Sequence, residues 1–441
     1  MTLLSLEAAW LALDLLGICH SSDYKGVDAM TLLNIAAILT AITALFAWFN
    51  QQFLSLPATI GVMLVALGVS LLLLLLGSVG PFNLGATVLT VAHSIDFDTT
   101  LLHGMLSFLL FAGALHINLE DLLKLKWVIA SLASVGVVLS TLMVGSAVWL
   151  LLELIGASLP YLYCLLFGAL ISPTDPIAVA ATLKTVGVSR SLETKIAGES
   201  LFNDGVGVVV FLVLAGMVTN PESVSLTGTL KLFLQETAGG ALLGLSLGYF
   251  GYRLLRTIDN YQTEILITLA VALGGYMLAL ELHVSGPICV VIAGLLIGNR
   301  GRTLAMSAKT KEHIDAFWEL IDESLNMVLF TLIGLELLTL DFSLTALVLG
   351  LVAIPIVLFS RLFSVGLPVL LLRLRHSFSP NVVKILVWGG IRGGISIALA
   401  LSLPAGAERS ILVMATYVVV IFSISVQGLS LGPLLKRLDQ E

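Results

Sequence analysis

Long apolar runs separated by short polar loops make up nearly the whole chain. Thirteen segments approach or exceed the about 20 residues that a helix needs to cross a hydrocarbon core. They are 31–49, 57–76, 100–118, 127–152, 161–183, 196–218, 227–252, 263–281, 284–298, 316–340, 344–372, 381–403 and 410–434. The eighth and ninth are divided only by a tight turn at Leu282-His283, and the tenth has a polar entry. No segment alternates apolar and polar residues with period two, which excludes a barrel. The pattern predicts an all-α polytopic membrane protein with about 13 transmembrane helices.

Two of these segments are interrupted. Ser172-Pro173-Thr174-Asp175-Pro176 breaks the fifth. Each proline lacks an N–H and disfavours helix in the residue before it, so Ser172 and Asp175 are pushed out of helical geometry. Asp175 is then placed to cap a second half-helix that opens at Pro176. The twelfth carries Arg392 between two glycine pairs, 389–390 and 393–394. These two segments are the fourth members of two five-span sets, spans two to six and nine to thirteen. The sets are seven spans apart, an odd offset that makes them inverted repeats. Paired interrupted helices in inverted repeats are a signature of secondary transporters.

Charge fixes the orientation. With the C-terminus placed in the cytoplasm, 16 of the 21 Lys and Arg residues fall in inside loops. Outside are Lys25, Lys231 and Arg409, while Arg361 and Arg392 lie within spans. The positive-inside rule therefore puts the N-terminus outside and the C-terminus inside a plasma (inner) membrane. Residues 1–29 form an extension, read either as an interfacial helix or as a start misassigned upstream of Met30. The chain ends seven residues after Leu434, so the activity is expected within the membrane.

Composition agrees. The chain is 58% hydrophobic and 11% charged, against about 25% charged in soluble domains. The net charge of −7 says little about partners, because the signs are segregated by topology. No basic tract points to nucleic acid. Cys19, Cys164 and Cys289 are scattered, which suits small buried hydrophobes better than a disulfide framework or a zinc site.

Acids inside a span mark function. Asp175 and Asp204 lie in apolar sequence beside Thr174, Glu199, Ser200 and Asn203. Ser200 and Asp204 share one stripe of the sixth span; Glu199 and Asn203 share another, about 100° round the helix. Asp175, Asp204, Ser200 and a freed carbonyl at Thr174 offer only oxygen, the ligand of hard cations. Two acids in one desolvated site repel, and a carboxylate poised there holds either a proton or a cation. Buried arginines need partners. Arg361 is assigned to Glu199, which together with Asn203 faces away from the ion, and Arg392 is assigned to loose helix ends. Asp315, Glu319 and Asp322 read as a solvated face or an acidic funnel, and His116 and His283 as interfacial. Glu336 has no assigned place.

The segments PTDPIAV, GESLFNDGVGVVVF, HVSGPICVVIAGLLIG, FWELIDESLNMVLFTLIGLEL and WGGIRGGISIALALSLP, taken in order, resemble the NhaP/NHE-type sodium/proton antiporters of the monovalent cation/proton antiporter superfamily. The resemblance runs from about Met30 to Leu435. It implies an NhaA-like fold in which core spans 127–218 and 344–434 move against dimerisation spans 31–118 and 227–340, in a homodimer. It carries Na+ and proton binding onto Asp175, Asp204, Ser200 and Thr174, with Glu199, Asn203, Arg361 and Arg392 in support. The electroneutral branch of the family has Asn-Asp where the electrogenic branch has two aspartates. Asn203-Asp204 therefore implies one cation per proton. The short C-terminal tail favours a prokaryotic-type exchanger.

The leading expectation is exchange of Na+, with Li+ as a second cation, for H+ by alternating access, with no cofactor and no enzymatic activity, in cation and pH homeostasis. A K+/H+ antiporter of the same fold is the alternative. An intramembrane aspartyl protease is remote, because Asp204 follows Leu-Phe-Asn rather than a GxGD-type motif. A channel is disfavoured, because protonation in competition with the cation and half-helices imply an occluded site.

Overall fold

In a bilayer every backbone N–H and C=O needs a partner within the protein, so apolar segments of this length close their hydrogen bonds as helices. A computed structural model describes residues 29–79, 100–154, 156, 159–176, 179, 183, 190–219, 226–340, 342–373, 378 and 381–438. It is helical throughout, with no strand among the described residues. The N-terminal extension up to residue 28, with Cys19 in it, lies outside the described residues, as does most of the half-helix expected after Pro176.

Eight helices among the described residues are long and apolar enough to cross a membrane. They are Ala36–Leu54, Ala58–Leu75, Lys126–Leu154, Leu192–Thr219, Tyr261–Glu281, Gly286–Leu304, Leu344–Leu372 and Ala407–Arg437. The other expected segments are helical but interrupted, short or more polar. Leu106–His116 and Tyr161–Ile171 are short apolar helices, and Leu226–Leu255 and Ala308–Glu336 are longer. The last is the chain Val382–Trp388 followed, after a gap, by Gly394–Leu401.

The outer surface is apolar. Leu154 is 84% exposed, Leu344 77% and Trp127 65%, which suits hydrocarbon and not water. Polar groups mark the helix starts: Asn118, Asn260, Ser285 and Ser307 each accept a backbone N–H of the first turn with the side chain. The tight turn after Glu281 places His283 at φ 53°, with Val284 N–H donating back to the Ala279 carbonyl at 2.9 Å. His283 and His116 are both exposed at helix ends.

The interior holds the unusual residues. The Tyr161–Ile171 helix packs on Val137–Leu154 so closely that a Cβ on Gly145 or Gly168 would meet the opposite backbone. That approach sets the depth at which the first break emerges. The Arg190–Thr219 helix passes beside it, and the largest buried cluster gathers residues of both with those of the second broken span and the last helix.

Candidate functional site

The chain leaves the Tyr161–Ile171 helix at Ser172 and stays non-helical through Pro176. Its polar groups are met by three other elements. Ser172 Oγ turns back to donate to the Gly168 carbonyl at 2.6 Å and stands 2.9 Å from Ser140 Oγ. Thr174 N–H donates to Asn203 Oδ1 at 3.2 Å, and Asn203 Nδ2 donates to Thr174 Oγ1 at 2.7 Å. Thr174 Oγ1 and Ser200 Oγ share a hydrogen bond of 3.1 Å. Thr174, Ser200, Asn203 and Asp204 are all buried; Asp175 is half-buried. Asp204 and Asp175 lie within each other's electrostatic field.

The second broken span closes the site from the other side. Its helix stops at Trp388 and resumes at Gly394. From the gap, the Ile391 carbonyl accepts the Asp175 N–H at 2.7 Å. Arg392 Nη1 donates to the carbonyls of Ser172 at 2.5 Å and Pro173 at 2.9 Å. These are loose carbonyls of the first break, and a guanidinium satisfies two of them with one group. Gly393 lies so near Asp175 that a Cβ there would run into the carboxylate. Arg392 is 1% exposed, and its charge is held entirely within protein.

Glu199 points the other way. Its Oε1 lies 2.5 Å from Arg361 Nη1, both residues being buried on neighbouring helices. Arg361 Nη2 also donates to the Leu386 carbonyl at 3.4 Å, and Gly390 leaves room for its guanidinium. Lys195, one turn before Glu199, stretches its ammonium over the Phe378 ring at 5.0 Å.

The structure thus brings Asp175, Asp204, Ser200, Thr174 and Asn203 together, with Arg392 beside them and Glu199 paired to Arg361. One expectation needs correction. Asn203 does not face away with Glu199; it bonds both the N–H and the hydroxyl of Thr174 and is part of the wall of the break. Residues four apart differ by about 40° around a helix, which is enough for two neighbours to divide them. The acidic row also does other work than a continuous funnel: Asp315 pairs with Arg302, Asp322 accepts from Asn326 Nδ2 at 3.1 Å, and Glu319 is exposed. Glu336 accepts from Thr339 Oγ1 at 2.6 Å near its helix end.

Two buried groups at the site had not been singled out. Ser423 and Gln427, on the last helix, touch both ends of the second break. In the sequence they stand among other polar residues of the same span, Thr416, Ser425 and Ser430, so nothing local separates them.

The arrangement offers carboxylate and hydroxyl oxygens where the non-helical stretch 172–176 meets the gap between Trp388 and Gly394, with no nitrogen or sulfur ligand among the residues gathered there. Such a site suits a weakly held hard cation.

The family described as "Sodium/hydrogen exchanger, transmembrane" matches residues 33–437. The chain is 47% identical over 411 residues to the Na(+)/H(+) antiporter NhaP of Pseudomonas aeruginosa, covering 92% of this chain and 97% of that protein. It is 36% identical over 353 residues to the Na(+)/H(+) antiporter NhaH of Halobacillus dabanensis, covering 79% and 85% respectively. Its fold is similar to that of the sodium proton antiporter MjNhaP1 from Methanocaldococcus jannaschii, with a TM-score of 0.72 at 20% identity over 93% of this chain and 99% of that one. With a family match across nearly its whole length and close relatives of the same extent, the chain belongs to the transmembrane sodium/hydrogen exchanger family.

Proposed function

We propose that the chain exchanges Na+ for H+ across a membrane by alternating access, one for one, with Asp175 and Asp204 as the carboxylates for which the two ions compete. The observation that carries this reading is the charge count at the crossing of the broken spans. Asp175, Asp204 and Glu199 supply three negative charges; Arg361 and Arg392 supply two positive ones. One negative charge is left over. A single Na+ or a single H+ neutralises it, and the empty charged state is the costly one to carry through a low-dielectric interior. A carrier that moves its site only when neutral couples the two ions with no net charge transferred. The names of the relatives, each a Na+/H+ antiporter, support the same pair of ions.

In this reading Ser200 and Thr174 add neutral oxygens to the ion, and Asn203 fixes Thr174. The thirteen apolar segments cross the membrane thirteen times in inverted repeats, as in NhaA-like transporters, with the N-terminus outside and the C-terminus in the cytoplasm of a bacterial-type plasma membrane. Spans 127–218 and 344–434 form the moving core, and 31–118 and 227–340 the scaffold of a homodimer. Li+ is carried in place of Na+; K+ is the alternative cation, because hydration and site size rather than ligand type separate them. The packed, hydrogen-bonded break leaves no reason to invoke peptide hydrolysis.

The test is dissipation of an imposed pH gradient in proteoliposomes on addition of NaCl, LiCl or KCl. Na+ and Li+ should collapse the gradient, K+ should not, and Asp204→Asn should abolish the response. Full exchange by Asp204→Asn would overturn the proposal, and a response to KCl alone would replace Na+ by K+.

A further inference from the structure

The last helix supplies nothing titratable to the cation site, yet it is distorted where it passes the second break. Ala407–Phe422 and Leu429–Leu438 are α-helical, and between them Ser423–Gly428 runs as a π-helical stretch. Such stretches insert a residue into the helix and re-aim its side chains, and they concentrate at functional sites.

Here the re-aimed side chains meet the missing hydrogen bond of the broken span. In a continuous helix the N–H of Arg392 would donate to the carbonyl four residues back, Trp388. In the structure these two groups are apart, and each has a side-chain partner from the π stretch. Arg392 N–H donates to Ser423 Oγ at 2.9 Å. Ser423 Oγ donates in turn to Gln427 Oε1 at 2.6 Å. Gln427 Nε2 donates to the Trp388 carbonyl at 3.0 Å. A serine and a glutamine are thus inserted into the i to i−4 bond that would close the helix. Both are buried, Ser423 at 1% and Gln427 at 3% exposure.

The stretch held open between Trp388 and Gly394 is the one that reaches the first break. Ile391 accepts the N–H of Asp175, and Arg392 holds the Ser172 and Pro173 carbonyls. Were the gap to close, Arg392 N–H would find Trp388 and both contacts would shift.

We propose that Ser423 and Gln427 are positioning residues for cation exchange: a hydrogen-bonded spacer that keeps the second span open and so fixes Asp175 and Arg392 at the ion. This rests on the assignment of the cation site to that crossing.

The experiment compares Ser423→Val with Ser423→Thr, side chains of equal size of which only threonine keeps the hydroxyl, alongside Gln427→Leu and the control Ser425→Ala. Each protein is read in two ways. One is the apparent KM for Na+ against the maximal rate per folded protein in proteoliposomes. The other is hydrogen–deuterium exchange of the amides of Asp175 and Arg392 in detergent. Ser423→Val and Gln427→Leu should raise KM about tenfold, as expected for a buried N–H or C=O left without its partner, and should speed exchange at both amides. Ser425→Ala should stay within about twofold of the parent protein on both readouts, and Ser423→Thr, which adds the same bulk as valine but keeps the hydroxyl, should lie clearly closer to the parent than Ser423→Val. The proposal is overturned if Ser423→Val lowers only the amount of folded protein at unchanged KM and amide protection, or if Ser423→Thr is as impaired as Ser423→Val. Should the parent protein move no protons with Na+, the functional reading fails, while the amide contrast still decides whether the spacer holds the break.

Discussion

The two broken spans cross at one place and are built from opposite materials. The first, Ser172–Pro176, is broken by prolines and carries a carboxylate. The second, between Trp388 and Gly394, is broken among glycines and carries a guanidinium. Proline removes N–H donors and leaves carbonyls exposed, so the first break needs positive partners. Glycine permits close approach without a side chain, so the second break can lay its backbone against the first. The exchange of contacts is reciprocal: Arg392 answers the Ser172 and Pro173 carbonyls, and the Ile391 carbonyl answers the Asp175 N–H. The difference lies in what can be replaced. An arginine stays charged throughout, whereas a carboxylate beside a second carboxylate can hold a proton or a metal cation. In the function proposed above, the second break is fixed scaffolding and the first is where ions change places.

The Glu199–Arg361 pair bounds that comparison, because it belongs to neither exchange. Arg361→Met leaves Glu199 buried without its counter-charge. It should cost about 3–5 kcal/mol in stability, measured as denaturation of the purified protein, and Glu199→Gln added to it should restore most of the loss. If the single variant is as stable as the parent, the pair is not the structural anchor described.

Next in size is the fixed charge. Arg392→Gln removes the clamp on two carbonyls and should lower exchange about a hundredfold, while Arg392→Lys keeps the charge without the fork and should recover about a tenth of the parent rate. Equal rates for the lysine variant and the parent would mean that charge alone matters and that the carbonyl geometry does not.

The exchangeable break should respond to pH with a definite sign. As pH falls, protons occupy the carboxylates and displace the cation, so the apparent KM for Na+ should rise, by about tenfold per pH unit in the limit of direct competition. A KM flat from the acid to the alkaline side would separate the proton from the cation site.

The smallest effect tests the close approach. Gly393→Ala places a methyl group against the Asp175 carboxylate and should raise KM for Na+ about fivefold. Gly366→Ala, whose added carbon meets nothing within 4 Å, should leave it unchanged.

Much of this was readable from residue order. Prolines 173 and 176 and the glycine pairs around Arg392 announce the breaks, because their backbone chemistry acts locally. The Glu199–Arg361 pairing follows from two buried arginines and one acid not used by the ion. What sequence reading missed depends on three dimensions. The wheel positions of Glu199 and Asn203 differ by only about 40°, yet Glu199 meets Arg361 while Asn203 meets Thr174. Ser423 and Gln427 look like ordinary polar residues bonding within their own helix. Nothing in SISVQG shows that the helix widens there, and the partners of Ser423 and Gln427 lie in another span, more than thirty residues away in sequence.

The central claim is that proton and cation compete for the carboxylates at the crossing. Its most direct measurement is proton release on binding: Na+ is added to lightly buffered, detergent-purified protein near the midpoint of its pH profile, with bound Na+ and liberated H+ followed together. Approaching one proton per Na+ at low pH, falling toward none at high pH, and no Na+-linked release from Asp204→Asn, is the result predicted. Saturable Na+ binding that frees no proton at any pH would contradict it.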